Sequence, residues 1–232
     1  MKFFKYGIIL ERLKEEDIEL VRQWRNSDPV RLNMRYQEMI TPEQQKQWFL
    51  SINTLYFNYL LIHYRGEKIG LLNDKNIDWG SRTSESGIFL GRREFYQTFV
   101  PYLVSIAGIE STFYLMDWKK QFAHILRTNY NAIRFNLQLG YQLSEGQEGV
   151  DHQQYELTRE SFEQKAGKIR KAVRTIARDE NKASVLLEPP DYEIGLAQRF
   201  ENLLDASPYP LEREVGKEGT WYRETGVDTD SK

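Results

Sequence analysis

Residues 83–101 read TSESGIFLGRREFYQTFVP. Ser84 to Leu90 has the character of a strand, and from Glu94 to about Ser111 the chain reads as a long, mostly apolar helix. Pro101 has no N–H, so a helix on both sides of it requires Pro101 in the first turn. Outward from this strand-to-helix passage, Phe122 to Leu126 reads as a strand. Asn129 to Leu139 reads as a helix, ended by Gly140 in the left-handed terminating position. Tyr141–Ser144 and Gln153–Leu157 close a hairpin around the loop from Glu145 to Asp151. On the other side, Phe57 to Tyr64 and Lys68 to Asn73 flank the turn Arg65-Gly66-Glu67, a hairpin signal, and Trp79-Gly80-Ser81 marks a further turn. Thr41-Pro42-Glu43-Gln44 starts a helix: Thr41 caps, Pro42 suits the first helical position, and Gln44 completes a capping box. Glu15 to Asn26 reads as a helix with Ile18, Leu20, Val21 and Trp24 near one face, and residues 6–12 read as a strand. The order β-α-α-β-β-β-α-β-α-β-β predicts an α/β (α+β) layer fold, a mixed sheet flanked by helices.

The chain has 232 residues, 28% of them charged, and its 32 basic and 34 acidic side chains nearly cancel. That excludes a strongly basic nucleic-acid binder and a polybasic membrane-surface protein as default readings. No cysteine is present, so disulfides, thiolate catalysis and Cys-ligated metal are excluded. Three histidines argue against a His-rich metal site. No apolar run is long enough for a membrane helix, and the apolar stretch Gly7–Leu10 is too short for a signal core. The expectation is a cytoplasmic protein that binds no nucleic acid, no membrane and no metal.

After Leu157 the pattern changes. Phe162, Ala166, Ile169, Val173 and Ile176 predict an amphipathic helix whose other face carries Lys165, Lys168, Arg170, Lys171, Arg174 and Arg178. That face reads as solvated charge or as a dock for an anionic partner, and the helix could also pair two subunits in a homodimer. Pro189-Pro190 breaks the chain, Tyr192 to Leu204 reads as one more helix, and Asp205 to Lys232 reads as extended or frayed. The expected organisation is a domain over 1–160 with a helical, partly extended appendage over 161–232, and removal of everything after Arg178 is expected to leave the domain folded.

Three segments carry a resemblance. They are Trp24-Arg25-Asn26 followed by Arg31, Met34, Gln37, Ile40, Thr41 and Trp48; Arg65-Gly66-Glu67-Lys68-Ile69-Gly70 through Ile77-Asp78-Trp79 to Thr83–Gly91; and Asn129-Tyr130-Asn131-Ala132-Ile133-Arg134-Phe135 ending at Leu139-Gly140-Tyr141. Over residues 6–160 their order and spacing resemble the GNAT superfamily of acyl-CoA N-acyltransferases. The similarity is greatest to the branch acting on ribosomal-protein N-termini and nucleotide-linked amino sugars, including sugar N-acetyltransferases of the pseudaminic-acid pathway. The resemblance implies a mainly antiparallel twisted sheet, acetyl-CoA as donor, and direct attack of an amine on the thioester. Positioning, a base for the amine proton and an acid for the departing thiolate would do the work. It implies Glu85 as candidate base, and Phe89, Leu90, Gly91, Gln97, Thr98 and Asn129 as the donor-side residues. Trp24, Arg25, Tyr36 and Gln37 fall on the acceptor side. The acceptor is expected to be a small amine, an amino-sugar nucleotide or a protein N-terminus.

Each of these residues also has a plainer role open to it. Glu85 can be a hydrogen-bonded or solvated strand carboxylate, Asn129 a helix N-cap, and Phe89 to Gly91 ordinary sheet pairing. Trp24 to Asn26 can fix the first helix, and Tyr36 and Gln37 can be exposed loop.

Two departures from the family pattern stand out. The Gly-x-Gly-x-Gly run that lets backbone amides cradle the donor diphosphate falls, counted without a gap, on Gln97, Phe99 and Pro101. The tyrosine that relatives offer the thiolate falls on Asn136, which cannot act as an acid. Tyr130 or Tyr141 could stand in. Two readings therefore stay open: an acyltransferase with an altered donor site, and a catalytically degenerate GNAT-fold protein acting as a binding or interaction module. A third is a structural subunit that dimerises through the C-terminal helix, its site silent.

Overall fold

The computed structural model describes residues 1–225, apart from the side chains of residues 179 and 180. In chain order the elements are β1 (Lys2–Lys5), β2 (Ile8–Arg12), α1 (Ile18–Asn26), α2 (Asp28–Arg31), α3 (Pro42–Ile52), β3 (Phe57–Tyr64), β4 (Glu67–Asp78), β5 (Thr83–Leu90), α4 (Val100–Glu110), β6 (Lys120–Leu126), α5 (Tyr130–Leu139), β7 (Gln142–Leu143), β8 (His152–Thr158), α6 (Arg159–Ala177), β9 (Ser184–Leu187), α7 (Pro189–Glu193), α8 (Leu196–Asp205), β10 (Leu211–Gly216) and β11 (Gly219–Glu224). Among the described residues the strands form a single 11-stranded sheet in the order β10-β11-β9-β1-β2-β3-β4-β5-β6-β8-β7. Every neighbouring pair is antiparallel except β5 and β6, which run parallel.

Local chemistry accounts for most of the boundaries. Thr41 and Gln44 form the capping box of α3. Arg65 and Gly66 both take positive φ (51° and 79°), as a two-residue hairpin with the twist of its strands requires. Gly140 ends α5 at φ 101°. There a Cβ would sit 2.5 Å from the Ser161 carbonyl oxygen, so both backbone and space demand glycine. Pro101 lies in the first turn of α4, as its missing N–H dictates. Residues 93–95 form a separate 3₁₀ turn ahead of α4, so the predicted helix begins later than Glu94. A π turn over Ser111–Leu115 extends α4.

The alternation of side chains along the strands separates two faces. One carries Leu61 and Leu71 under α1 and α3, with Leu13, Val21, Trp24 and Ile52. The other carries Leu60, Ile62 and Leu72 under the almost wholly buried α4, with α6 and α8 alongside.

The sheet continues through the C-terminal third. β9 pairs with β1, and β11 with β9. Val185, Leu187, Leu196, Ala197, Phe200, Leu204 and Tyr222 are buried in the same cluster as Phe3 and Tyr6. Residues 211–224, expected to be extended or frayed, instead form the β10–β11 hairpin; residues 226–232 of that expectation lie outside the described residues. The prolines at 189 and 190 start α7 rather than only breaking the chain. Truncation after Arg178 would therefore strip β1 of a strand partner and uncover that cluster, contrary to the expectation that the domain would stay folded.

α6 is tied to α4 by charge as well as by apolar contact. Glu110, 1% exposed, meets Arg170 Nε at 2.7 Å, the Tyr6 hydroxyl at 2.6 Å and Lys5 Nζ at 3.3 Å, with Arg174 at the margin. Burial pushes its carboxyl up, and these cations and the Tyr6 hydrogen bond pull it below the usual range. A group so depressed stabilises the fold above its unfolded value of 4.5 and loses that contribution as pH falls through the folded value. Arg170→Met leaves a buried carboxylate short of a partner. The expected loss is about 3–5 kcal/mol by urea unfolding at neutral pH. The gap between variant and parent should narrow in acid, as Glu110 protonates.

Candidate functional site: a forked sheet

β5 and β6 stay paired only over Thr83–Lys120, Ser84–Gln121 and Glu85–Phe122. Beyond Glu85 the strands separate, because β6 turns to follow β8 while β5 remains paired with β4. Residues 86–90 thus present an edge with no strand on it, an arrangement that accepts an extended ligand through main-chain hydrogen bonds. A cavity of about 960 Å³ occupies this fork. Its lining includes Lys75 and Glu85 from the α1/α3 face and Asp74, Ser84 and Gln121 from the α4 face, so it opens to both sides of the sheet.

Glu85, the candidate base, lines this cavity. Lys75 Nζ lies 2.7 Å from it, His124 Nδ1 3.0 Å and Asn76 Nδ2 3.2 Å. Burial raises its pKa, but the lysine beside it outweighs that, and the carboxyl sits below the usual range. A carboxylate held this way is a weak base. His124 stacks on His152 at 5.5 Å; burial, His124 and Arg35 lower the pKa of His152.

On the opposite face lies a carboxylate that the sequence reading missed. Asp74 faces Ser84 Oγ at 3.2 Å and Gln121 Nε2 at 3.3 Å, and Ser86 also donates to it. It has no cationic partner among the described residues, and burial pushes its pKa up to about 6, with those hydrogen bonds opposing. It is half-buried and lines the cavity. Tyr141, 5% exposed, also lines the cavity. Burial and the nearby Asp74 raise its pKa, so it remains a hydroxyl, hydrogen-bonded to Ser86. Tyr130 is 72% exposed and absent from the lining. The sign of Asp74 in the sequence was only a carboxylate at the inward position of an apolar strand, two residues after Leu72.

The other predicted residues divide. Arg25, Tyr36, Phe89, Leu90, Asn129 and Asn136 line the cavity; Trp24, Gln37, Gly91, Gln97 and Thr98 do not. Trp24 lies against Gly91, where a Cβ would fall 2.1 Å from the indole, so this pair is packing. Asn129 Oδ1 accepts the Ala132 N–H and caps α5. The Asn136 amide donates to the Ala132 carbonyl. Gln37 Nε2 donates to the Leu32 carbonyl in the exposed 32–39 loop.

A coenzyme A-type donor offers an extended arm and a diphosphate, and this chain fits the two unequally. The unpaired edge of β5 suits the arm. The start of α4 does not suit the diphosphate. The Tyr96 and Thr98 amides donate to the Arg93 and Phe95 carbonyls, and the Val100 amide donates to Thr98 Oγ1. Pro101 has no N–H, and the Tyr102 and Leu103 amides both donate to the Phe99 carbonyl. At most the Gln97 and Phe99 amides remain free. Phe99 stacks on Tyr102 at 5.4 Å and Tyr102 on Phe135 at 4.8 Å, and the Tyr102 hydroxyl bonds Gln138. Aromatic side chains thus bridge α4 and α5 at the place that the family pattern gives to phosphates.

No cluster of metal-ligating side chains occurs among the described residues, and none of the helices described is long and apolar enough to cross a membrane.

Neither a protein-family model nor a curated protein sequence matches the chain. Solved structures do. An aminoglycoside acetyltransferase AAC(6')-Ib in complex with coenzyme A is 15% identical, with a TM-score of 0.58 over 68% of this chain and 98% of that one. A spermidine N-acetyltransferase from Vibrio cholerae, in complex with coenzyme A and spermine, is 13% identical, with a TM-score of 0.57 over 67% and 98%. An uncharacterized protein from Bacillus halodurans is 13% identical, with a TM-score of 0.62 over 75% and 97%. At such identities the likeness is one of architecture: the chain has the fold of the GNAT acetyltransferases and carries a further quarter to a third of its length outside each match.

Proposed function

We propose that the protein transfers an acyl group from a thioester borne on a pantetheine-like arm to an amine, at the fork between β5 and β6. The single observation that carries this reading is Asp74, an unpaired carboxylate with its pKa raised to about 6, facing the cavity where the strands part. A base poised there is ionised at neutral pH and still basic enough to take a proton. Asn58 Oδ1 and Gln121 Oε1 are buried acceptors with no partner among the described residues, and both line the cavity. Together with Asp74 they form a place for amine N–H groups. Asp74 takes the proton lost by the attacking amine. The Tyr141 hydroxyl, which burial keeps protonated, is the group available to the departing sulfur, a role closed to Asn136. Acyl transfer to amines is the chemistry of the aminoglycoside and spermidine acetyltransferases that share the fold. An amino-sugar nucleotide as acceptor rests on sequence resemblance alone, as does acetyl as the acyl group; a homodimer as the working form rests on the amphipathic pattern of residues 162–176.

The aromatic bridge from Phe99 to Phe135 favours a second reading, in which the fold binds a ligand without turnover. The proposal places the transferase chemistry within residues 1–160, to whose sheet and core the segment from 161 onward adds further strands and helices. The donor-side roles of Phe89 and Leu90 belong to the proposal too.

Two measurements test this. With so few free amides at α4, acetyl-CoA and acetyl-pantetheine should bind with similar affinity in calorimetry, the nucleotide adding little. Saturable binding of neither supports the second reading. In turnover assays with a panel of amines, kcat should carry an acid limb that levels off above about 6 as Asp74 ionises. Asp74→Asn should remove that limb and lower kcat by roughly 10²- to 10⁴-fold. An unchanged profile in the variant would move the base elsewhere, with Glu85 the next residue to test.

A further inference from the structure

Arg25 stands apart from the paired cations near the site. Arg22 pairs with Glu19, Arg31 with Asp28, Lys68 with Asp17 and Lys75 with Glu85. The guanidinium of Arg25 lines the cavity and is desolvated. The one ionisable group acting on it is the Tyr59 phenol, and no carboxylate of the described residues pairs with it. A half-buried, desolvated guanidinium without an anion is a costly arrangement. Two more donors in the same lining share its condition: Asn73 Nδ2 and Gln45 Nε2 are buried with no partner among the described residues, and Gln45 is 3% exposed. Asn73 lies directly across from Tyr59 in the β3–β4 register, on the α1/α3 face. Arg35 adds a further cation to the lining. The only carboxylate on that face of the lining is Glu85, already held by Lys75.

We infer that these groups form an oxyanion subsite, and that the acceptor is an amine carrying a carboxylate or phosphate of its own, such as an α-amino acid or an amine phosphate. The inference rests on the proposed acyl transfer and adds the substrate's second charge. Arg25, Asn73 and Gln45 supply donors only, and a planar guanidinium suits a two-oxygen anion. Asp74, Asn58 and Gln121 supply acceptors at the other end. A substrate with an anion at one end and an amine at the other matches this polarity. A polycationic amine does not, because it would meet an unpaired guanidinium.

The test separates binding from turnover. Calorimetry on the full chain uses serine, O-phosphoethanolamine, ethanolamine and spermidine as probes. The expected result is that the first or second binds, and that ethanolamine, which lacks the anion, binds at least about 10-fold more weakly, the ratio of one charge-assisted contact. Binding of serine assigns the site to carboxylates, and binding of O-phosphoethanolamine assigns it to phosphates. Arg25→Gln should weaken binding of the anionic probe by on the order of 10- to 100-fold, and Arg25→Lys should restore part of it. Asn73→Asp, which places a negative charge in the subsite without touching α1, should reverse the order and favour ethanolamine or spermidine over the anionic amines. Equal binding of serine, O-phosphoethanolamine and ethanolamine, preference of the parent for spermidine, or no binding of any anionic probe would overturn the subsite. If anionic amines bind with the expected dependence on Arg25 but no amine is acylated, the subsite stands and the transferase reading fails.

Discussion

The site depends on one break in pairing. A parallel strand pair must satisfy its main-chain donors and acceptors along its whole length or leave an edge. Here the pairing of β5 and β6 ends after three residues, and the edge it leaves faces the cavity. What forces the strands apart is the rest of the sheet. β4 holds β5 from Thr83 to Leu90, and β8 holds β6 over its whole length. Gly91 and Trp24 fix the far end of β5, since the indole fills the volume a side chain would need. The cavity is thus a consequence of strand registers.

The long C-terminal segment belongs to the same mechanical unit. β1 lies between β2 and β9, and Glu110 in the central helix is neutralised partly by Arg170 from α6. Arg170 also lies against the rings of Tyr114 and Phe162, so its charge and its stem both serve the packing. The helix whose basic face reads in sequence as solvated thereby turns one of those cations inward. α4 runs from the aromatic bridge at Phe99 and Tyr102 to Glu110, so the ion pair with α6 anchors its far end.

Much of this architecture was legible from the residues. Capping chemistry at Thr41 and Asn129, the Arg65-Gly66 turn and Gly140 fix their elements through local geometry, which sequence reports directly. Alternation in 57–73 and 84–90 gave the central strands. β1 escaped notice because four residues before a Tyr6-Gly7 turn carry too little pattern, β9 and β11 because their burial comes from partners far away in the chain, and β10 because its exposed residues show no buried face. The site was legible in the same uneven way. The residues that resemblance pointed to include several that serve packing or capping, namely Trp24, Gly91 and Asn129. Asp74 and the unpaired donors of Asn73 and Gln45 could be found only from burial and hydrogen-bond accounting, because nothing in their spacing separates them from ordinary strand or helix polarity.

The two cavity carboxylates show why position outweighs residue type. Glu85 and Asp74 lie on adjacent strands with their side chains on opposite faces, so each meets a different dielectric and a different set of partners. Lysine and histidine surround Glu85 and hold it ionised well below neutrality, which spends its basicity on an ion pair. Neutral hydroxyl and amide donors surround Asp74, and these stabilise its anion less than burial destabilises it. Environments that push two like groups apart in this way suit them to different work: Glu85 balances the charge of Lys75, and Asp74 is left as the group that can exchange a proton near neutral pH. The asymmetry extends to the donor end. Between Tyr96 and Leu103 the main-chain amides other than those of Gln97 and Phe99 are satisfied within the chain, and Phe99 packs on Tyr102, so that end offers few donors while the fork offers the open edge of β5.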